Sequence, residues 1–200
     1  MMTTAPAPDM LLDHRGNPRA TAEMAVSYEQ ARLGIAFHEA GHAVLAMAYG
    51  MHVLTSEVIA WSPEPDRWNV TGNTAFQTRD TNPWQFAAQC AAGELAHVQY
   101  LLTCGLWNPE RALACGADHD REQAIDVLAD SGYRLSRGCV PQGGKSWGMV
   151  QGMARRKVGY LWREIHTVAH AMNERTLLTG DEIADLTGLV NAPLPTGGAA

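Results

Sequence analysis

Apolar residues first recur at helical spacing in the stretch between residues 27 and 50. Ser27 and Gln30 have the spacing of a capping box, in which each side chain satisfies a backbone amide at the start of a helix. Gly50 suits the position that follows the last turn. The pattern therefore predicts a helix from about Ser27 to Gly50, with an apolar face that includes Ile35, Phe37, Val44 and Met47.

Later stretches predict four more helices. An Asn-Pro start followed by an Ala-rich run predicts a helix over residues 82–102. Helical spacing predicts another over residues 118–128, and one long or kinked helix over residues 147–175. A short last helix is expected to begin at Thr179, which opens a second capping-box pattern.

Two segments between the first two helices, residues 57–60 and 74–77, favour β-structure. The connection between them contains Pro63, Pro65 and Gly72, which are typical of loops and turns. A β-hairpin with a long loop is the simplest interpretation. The whole pattern predicts a mainly α fold with one small β-hairpin or sheet.

The size and composition of the chain predict one folded domain. With 200 residues, of which 46% are hydrophobic and 18% charged, the chain can bury a sizeable core. Residues 1–20 are rich in Pro, Thr and Ala and predict a flexible N-terminal arm. Residues 191–200 predict a flexible tail, which leaves residues 21–190 as the domain.

The charge and cysteine patterns bear on partners and location. The formal net charge is -6 and the densest basic patch, residues 155–157, is typical of a solvated helix face, so no nucleic-acid partner is expected. No run approaches the roughly 20 apolar residues that cross a bilayer, and the N-terminus lacks a signal-peptide pattern, so no membrane partner is expected. Four cysteines without C-x-x-C spacing are typical of a reducing compartment, which predicts a cytoplasmic protein.

His38, Glu39 and His42 form an H-E-x-x-H pattern inside the first predicted helix. Residues four apart lie on one helix face, so both imidazoles can bind the same zinc ion. Glu39 lies about 100° further round the helix, where it can take a proton from a water molecule that the metal activates. Gly41 costs roughly 1 kcal/mol relative to Ala in a helix interior. Its presence suggests that another backbone or a substrate approaches closely.

A catalytic zinc ion needs a third protein ligand and one open position. The first candidates lie at the start of the helix predicted at residue 118. Asp118 suits the N-cap, where its carboxylate binds backbone amides. His119 and Asp120 can each bind zinc, and the spacing does not choose between them. Glu94 and His97, on the preceding predicted helix, are further candidates.

The chain resembles the protease domain of FtsH-type ATP-dependent zinc peptidases in an ordered set of four segments. These are the active-site helix, a helix start of small residues, a Gly-Ala-x-Asn-Asp segment and the closing helices, at residues 37–44, 91–94, 116–120 and 161–183. The first motif occurs in many zinc peptidases, whereas the ordered set is more specific. The resemblance covers residues 31–186. It implies a small sheet beside the active-site helix and a zinc ion bound by His38, His42 and Asp120.

The chain departs from the family pattern at three points. His97 and Val98 stand in place of two glutamates, so the surroundings of the metal are expected to differ. His119 replaces the Asn before the third ligand, where it can compete for the metal. No G-x-x-x-x-G-K-[ST] string occurs, so the chain is not expected to be ATP-dependent by itself. A separate ATPase or adaptor could deliver substrate, and an oligomer is compatible with the pattern.

These observations lead to one expected function and two alternatives. The expected function is that of a zinc metalloendopeptidase, with Glu39 as the catalytic residue, acting on flexible peptides or a partner protein. The resemblance implies that the substrate lies extended along the sheet edge near residues 74–76. The first alternative is a non-catalytic helical binding module that zinc stabilises. The second is a helical protein without metal, because short H-E-x-x-H strings also arise by chance.

Overall fold

A computed structural model describes residues 5–19, 23–64, 67–78 and 80–194. The fold is mainly α with a small antiparallel sheet of three strands, which confirms the predicted class. No described helix combines the length and apolar character that crossing a bilayer requires. The helices are α1 (Tyr28–Ala48), α2 (Pro83–Cys90), α3 (Ala92–Thr103), α4 (Pro109–Ala114), α5 (Asp118–Asp130), α6 (Trp147–Tyr160), α7 (Trp162–Arg175) and α8 (Gly180–Thr187). The strands are β1 (His52–Glu64), β2 (Arg67–Gln77), β3 (Leu135–Ser136), β4 (Lys145–Ser146) and β5 (Leu177–Thr179).

Helix α1 lies at the centre of the molecule. Every residue from 36 to 47 is buried, because α3, α7 and the sheet pack around the helix. The predicted capping box is present, with the Gln30 amide donating to Ser27 Oγ at 3.3 Å and the Ser27 amide donating to Gln30 Oε1 at 3.0 Å. Gly50 has a φ of 76°, the left-handed conformation that follows many helices. The sequence therefore predicted this helix correctly at both ends.

Gly41 allows α3 to cross α1 at short distance. A Cβ atom at this position would lie 2.7 Å from the carbonyl oxygen of Ala92 and 2.8 Å from the Cβ of Ala96. Both neighbours belong to α3, and the carbonyl is backbone that cannot move without shifting the helix. The close approach suggested by the sequence therefore occurs, and another backbone makes it.

The sheet is larger than the sequence predicted. Its strand order is β2-β1-β5, and β1 pairs with β2 from His52↔Gln77 to Glu64↔Arg67. The prediction of two short strands and a long loop is therefore wrong. The part of β1 beyond Trp61 is exposed and pairs with the start of β2, so pairing between the two strands extends this ribbon without a buried face. A pattern that depends on burial does not detect such an extension.

Strand β5 was not predicted, because it has three residues and follows α7 directly. It pairs antiparallel with residues 55–57 of β1 and so forms the second edge of the sheet. The other edge is β2, which pairs only with β1 among the described residues. Strand β2 contacts α1 through Trp68 at Tyr28 and through Thr74 at Glu39.

The helix predicted over residues 82–102 is in fact two helices. They meet at Ala91, where φ is -78° and ψ is -10°. The small side chains of residues 91–93 offer little steric resistance to this bend, and no proline marks it in the sequence. The helix predicted over residues 147–175 is likewise divided at Leu161, which agrees with the kinked form of that prediction.

Helix α4 is not among the helices that the sequence pattern predicted. Its N-cap is Asn108, whose side-chain oxygen accepts from the Arg111 amide at 2.8 Å, and Pro109 is the first helical residue. The same Asn-Pro pair correctly located the start of α2. Applied consistently, this start pattern predicts α4 as well.

The described residues before α1 fold back on themselves. Pro8–Leu11 forms a short 3-10 turn, and Leu12 pairs with Pro18 in an antiparallel bridge. We refer to residues 11–19 as the N-terminal hairpin. The hairpin rests on α5, where the Arg15 guanidinium binds the Asp126 carboxylate at 2.6 and 2.7 Å.

Contacts of the folded region continue past both predicted domain boundaries. The N-terminal hairpin lies before the predicted boundary at residue 20, yet it contacts α5 through Arg15. Past the boundary at residue 190, the Asn191 side chain accepts from the Val53 amide at 2.8 Å and donates to its carbonyl at 3.0 Å. The predicted flexible arm and tail also include residues that lie outside the described part of the chain, namely 1–4, 20 and 195–200.

Replacing Gly41 by Ala tests the close contact between α1 and α3. We expect Gly41→Ala to lower the free energy of unfolding of the metal-free protein by about 1–3 kcal/mol, because the helices must move apart. The matched control is Gly152→Ala in α6, where a Cβ would meet nothing within 4 Å. We expect this control to stabilise by about 0.5–1 kcal/mol through helix propensity. Urea unfolding measures both, and equal effects would contradict the account.

Candidate metal centre

Three of the predicted ligands converge on one point in the interior. The Nε2 atom of His38 lies 3.0 Å from Nε2 of His42, and both face Oδ2 of Asp120, at 3.3 and 3.1 Å. The two histidines are 7% and 6% exposed. They project from α1, one turn apart, while Asp120 lies in the first turn of α5. Among the described residues, these three form the one group of this kind that could hold a metal ion.

The spacing of the three atoms fits a zinc ion. Zinc binds imidazole nitrogen and carboxylate oxygen at about 2.0–2.2 Å, so two ligands of a tetrahedral site lie about 3.3 Å apart. The observed separations of 3.0–3.3 Å are close to this value. Three protein ligands leave the fourth position open, as catalytic sites require.

The tautomer of His42 also suits metal binding. Its Nδ1 atom lies 2.9 Å from the backbone carbonyl of Gln89, which can only accept a hydrogen bond. The Nδ1 atom must therefore carry a proton, and in the neutral ring Nε2 then presents a lone pair to Asp120 and His38. A backbone partner of this kind orients the histidine ligands of many metal sites.

Gly93 leaves space beside the ligand atoms. A Cβ atom at this position of α3 would lie 2.3 Å from Nε2 of His42 and 2.5 Å from Nε2 of His38. Any side chain here would therefore occupy the point at which the two imidazoles meet. A space that a single Cβ would fill, lined by the Nε2 atoms of both buried histidines, is a second feature that fits a metal ion.

The charges of the metal-free site explain two perturbed pKa values. Burial disfavours the charged form of His42, but the charge and hydrogen bond of Asp120, together with the charge of Glu39, raise its pKa to about 9. Burial likewise opposes ionisation of Asp120, but the charge of His42 and the hydrogen bonds of both histidines hold its pKa well below the ordinary value. Without metal, a shared proton thus takes the role of the cation.

Glu39 lies beside this group and is held by the sheet. Its side chain is 6% exposed, and its Oε2 atom accepts a hydrogen bond from the Thr74 hydroxyl at 2.7 Å. The Thr74 hydroxyl is itself 2.8 Å from that of Ser56, which can donate to it. Gly72 permits this arrangement, because a Cβ there would lie 2.5 Å from Glu39 Oε1. The carboxylate is therefore fixed between β2 and the ligand pair.

The other candidate ligands lie outside the group. His119 Nε2 is 3.3 Å from Oδ1 of Asp120, the oxygen that does not face the two histidines. Glu94 accepts two hydrogen bonds from Gln151, at 3.1 and 3.2 Å. His97 is 5% exposed, and burial together with the charge of His38 lowers its pKa to about 3, so the ring is neutral. The geometry thus favours Asp120, the residue to which the resemblance pointed.

A cavity of about 250 Å³ opens next to His38, Glu39, His42 and Asp120. One wall is β2 and another is the N-terminal hairpin, whose lining residues are Leu12, Asp13, His14 and Arg19. This second wall could not be predicted, because the composition of residues 1–20 is typical of a flexible arm. The roles of Gly93 and Gly72 were also missed, since they depend on which elements meet across the site.

Comparison with known proteins gives no further assignment. No protein-family model matches the chain, and no curated protein matches its sequence. The resemblance to FtsH-type peptidases therefore stays a prediction that rests on the four motifs.

The shared proton predicts a pH dependence for the metal-free protein. The pKa of His42 is about 9 in the folded state against an ordinary 6.5, so the folded protein binds more protons between these values. The free energy of unfolding should then be higher at pH 6.5 than at pH 9, and fall as the pH rises between these values. Urea unfolding across this range, after chelation, measures the effect.

Two controls make this measurement specific. The Asp120→Asn variant lacks the charge that raises the pKa of His42, so its stability should fall less over the same range. Saturating zinc should remove the decline in the wild type, because the metal binds the neutral imidazole. A metal-free wild type whose stability matches the pH profile of Asp120→Asn would contradict the shared proton.

Proposed function

We propose that this chain is a zinc metallopeptidase of the FtsH protease-domain type, which hydrolyses peptide bonds in flexible peptides or in a partner protein. One observation carries the proposal: the three convergent ligand atoms and the carboxylate of Glu39 line the same cavity. A purely structural metal site needs neither an open position nor an acidic side chain fixed beside it.

The side chains divide the proposed work between them. His38, His42 and Asp120 would hold the ion, and their one negative charge leaves the site with a net charge of +1. Zinc in such a site lowers the pKa of water towards about 7 and polarises a carbonyl group. Glu39 serves as the general base, taking a proton from the attacking water and passing it to the departing amine.

The surroundings of Glu39 support this role. The Thr74 hydroxyl donates to one carboxylate oxygen, so the other oxygen is free of that contact and can receive a proton. Ser56 is fully buried and can donate to Thr74, which fixes the direction in which the Thr74 proton points. The two hydroxyls thus orient the carboxylate without neutralising it.

Edge strand β2 supports an extended substrate. Gly72, Asn73, Thr74 and Phe76 line the cavity, and among the described residues the far side of β2 pairs with no other strand. A peptide added to this edge would run past Glu39, with its backbone hydrogen-bonded to β2. The cavity has room for a short segment only, so folded substrates would need a separate ATPase or adaptor to open them.

The proposal includes a cytoplasmic location. All four cysteines are free, and Cys104 and Cys139 are exposed. Exposed thiols persist in a reducing compartment, whereas an oxidising one favours disulfides.

The substitution Glu39→Gln tests the assignment of the general base. We expect the rate of peptide cleavage to fall by about 10²–10⁴-fold, since the amide cannot accept the proton, while zinc content is unchanged. The matched control is Glu29→Gln, the same substitution ten residues earlier on α1 and away from the cavity. Its rate should stay within about 3-fold of the wild type, because it does not alter the transition state. Cleavage of a fluorogenic peptide library and elemental analysis give both readouts.

The same experiment distinguishes a peptidase from the alternative, a non-catalytic binding module. In that case zinc is bound but the wild type cleaves neither library peptides nor unfolded casein, and Glu39→Gln matches the wild type in every assay. Such a result would overturn the proposed activity.

A further inference from the structure

The N-terminal hairpin forms the wall of the cavity opposite the sheet. Its contacts to α5 are ionic: His14 Nε2 lies 2.7 Å from Asp126 Oδ2, and Arg15 binds both oxygens of the same carboxylate. Helix α5 also carries Asp120. The hairpin is therefore attached to the same element that supplies the third proposed ligand, six residues from it.

Arg19 is the arginine with which the N-terminal hairpin lines the cavity. It ends the hairpin, where its amide donates to the Leu11 carbonyl at 2.9 Å and its Nε atom donates to the Leu12 carbonyl at 2.9 Å. These bonds fix the base of the guanidinium group. Within the described part of the chain, neither terminal nitrogen of Arg19 has a hydrogen bond or an ion pair, and the residue lines the cavity.

Arg19 lines the same cavity as the ligand group. The cavity is bordered by Arg19 on the hairpin and by His38, His42 and Asp120 on the other side. His119, which contacts the outer oxygen of Asp120, lines it as well. Arg19 therefore borders the space in which the proposed reaction takes place.

The carboxylates around Arg19 have other partners. Asp13 accepts from the amides of Arg15 and Asn17, at 2.9 and 2.8 Å, and so closes the hairpin turn. Asp120 faces the two histidines of the proposed metal site. Among the described residues, no carboxylate binds the two terminal nitrogens of Arg19, and a guanidinium group binds a carboxylate by a paired fork of such nitrogens.

We propose that Arg19 determines specificity by binding a carboxylate of the substrate close to the scissile bond. The carboxylate is either an acidic side chain or the C-terminal carboxylate of a short peptide. This inference rests on the proposed peptidase function, and it assigns to the hairpin the role of a substrate-selecting wall.

The test uses three peptides that differ in charge alone. They are acetyl-Ala-Phe-Glu-Ala-amide, acetyl-Ala-Phe-Gln-Ala-amide, and the Gln peptide with a free C-terminal carboxylate. The wild type should cleave at least one of the two acidic forms with a kcat/KM at least about 10-fold above that of the neutral form, as a charge-assisted hydrogen bond implies. The form preferred tells whether the carboxylate is a side chain or a C-terminus.

Variants of Arg19 separate its role from that of the metal, which also attracts carboxylates. Arg19→Gln should abolish the preference while the rate on the neutral peptide changes less than about 3-fold, and Arg19→Lys should restore part of it. Arg163→Gln, an exposed arginine on α7, is the control and should retain the full preference. A preference that persists in Arg19→Gln, or a wild type that shows none, would overturn the inference.

A binding measurement tests the role of Arg19 independently of peptidase activity. Calorimetry on the Glu39→Gln protein and on its Arg19→Gln double variant measures affinity for the same three peptides without turnover. Arg19-dependent binding of an acidic peptide that the wild type does not cleave would support the inference and contradict peptidase activity. Cleavage of the peptides with binding that does not depend on Arg19 would support peptidase activity and contradict the inference.

Discussion

The Nε2 atoms of His38 and His42 and a carboxylate oxygen of Asp120 face one another across 3.0–3.3 Å in the interior. Lone pairs at these distances repel, and burial removes the water that would otherwise screen or bind them. A shared cation offsets both costs. In the metal-free protein the cation is a proton on His42, whose pKa rises to about 9 because the effects of Asp120 and Glu39 outweigh that of burial. In the proposed active form the cation is zinc.

The packing of the surrounding elements follows from this buried group. Helix α3 lies over the two imidazoles because Gly41 and Gly93 carry no side chain, and β2 lies against the carboxylate of Glu39 because Gly72 carries none. Three glycines on three different elements thus allow two helices and a strand to close around the same point. The fourth side is less tightly packed, and there the N-terminal hairpin and α5 border a cavity.

Local patterns in the sequence predicted the parts of the site that a single element determines. His38, Glu39 and His42 could be identified because residues one turn apart on a helix share a face. The cost of Gly41 in a helix correctly predicted a close backbone. Asp120 lies 78 residues beyond His42, and spacing alone did not decide whether Asp120 or His119 is the third ligand. The resemblance to a family pointed to Asp120. Only the position of α5 relative to α1 separates the two residues.

The features that the sequence missed depend on tertiary contacts. The exposed ends of β1 and β2 carry no burial pattern, and β5 is too short to have one. The N-terminal hairpin has the composition of a flexible arm, and its attachment through Arg15 depends on an acidic residue more than 100 positions away. No local rule connects such distant residues. Helix α4 is different, because its Asn108–Pro109 start is a local signal that the sequence does contain.

Anomalous diffraction at the zinc absorption edge, from crystals of zinc-loaded wild type and of the His119→Ala variant, tests the central claim most directly. The account predicts one strong peak in both, about 2.0–2.2 Å from Nε2 of His38, Nε2 of His42 and Oδ2 of Asp120. The account would be contradicted by a zinc ion that is bound by His119 and is lost in the variant. It would also be contradicted by the absence of any peak between the two histidines of α1.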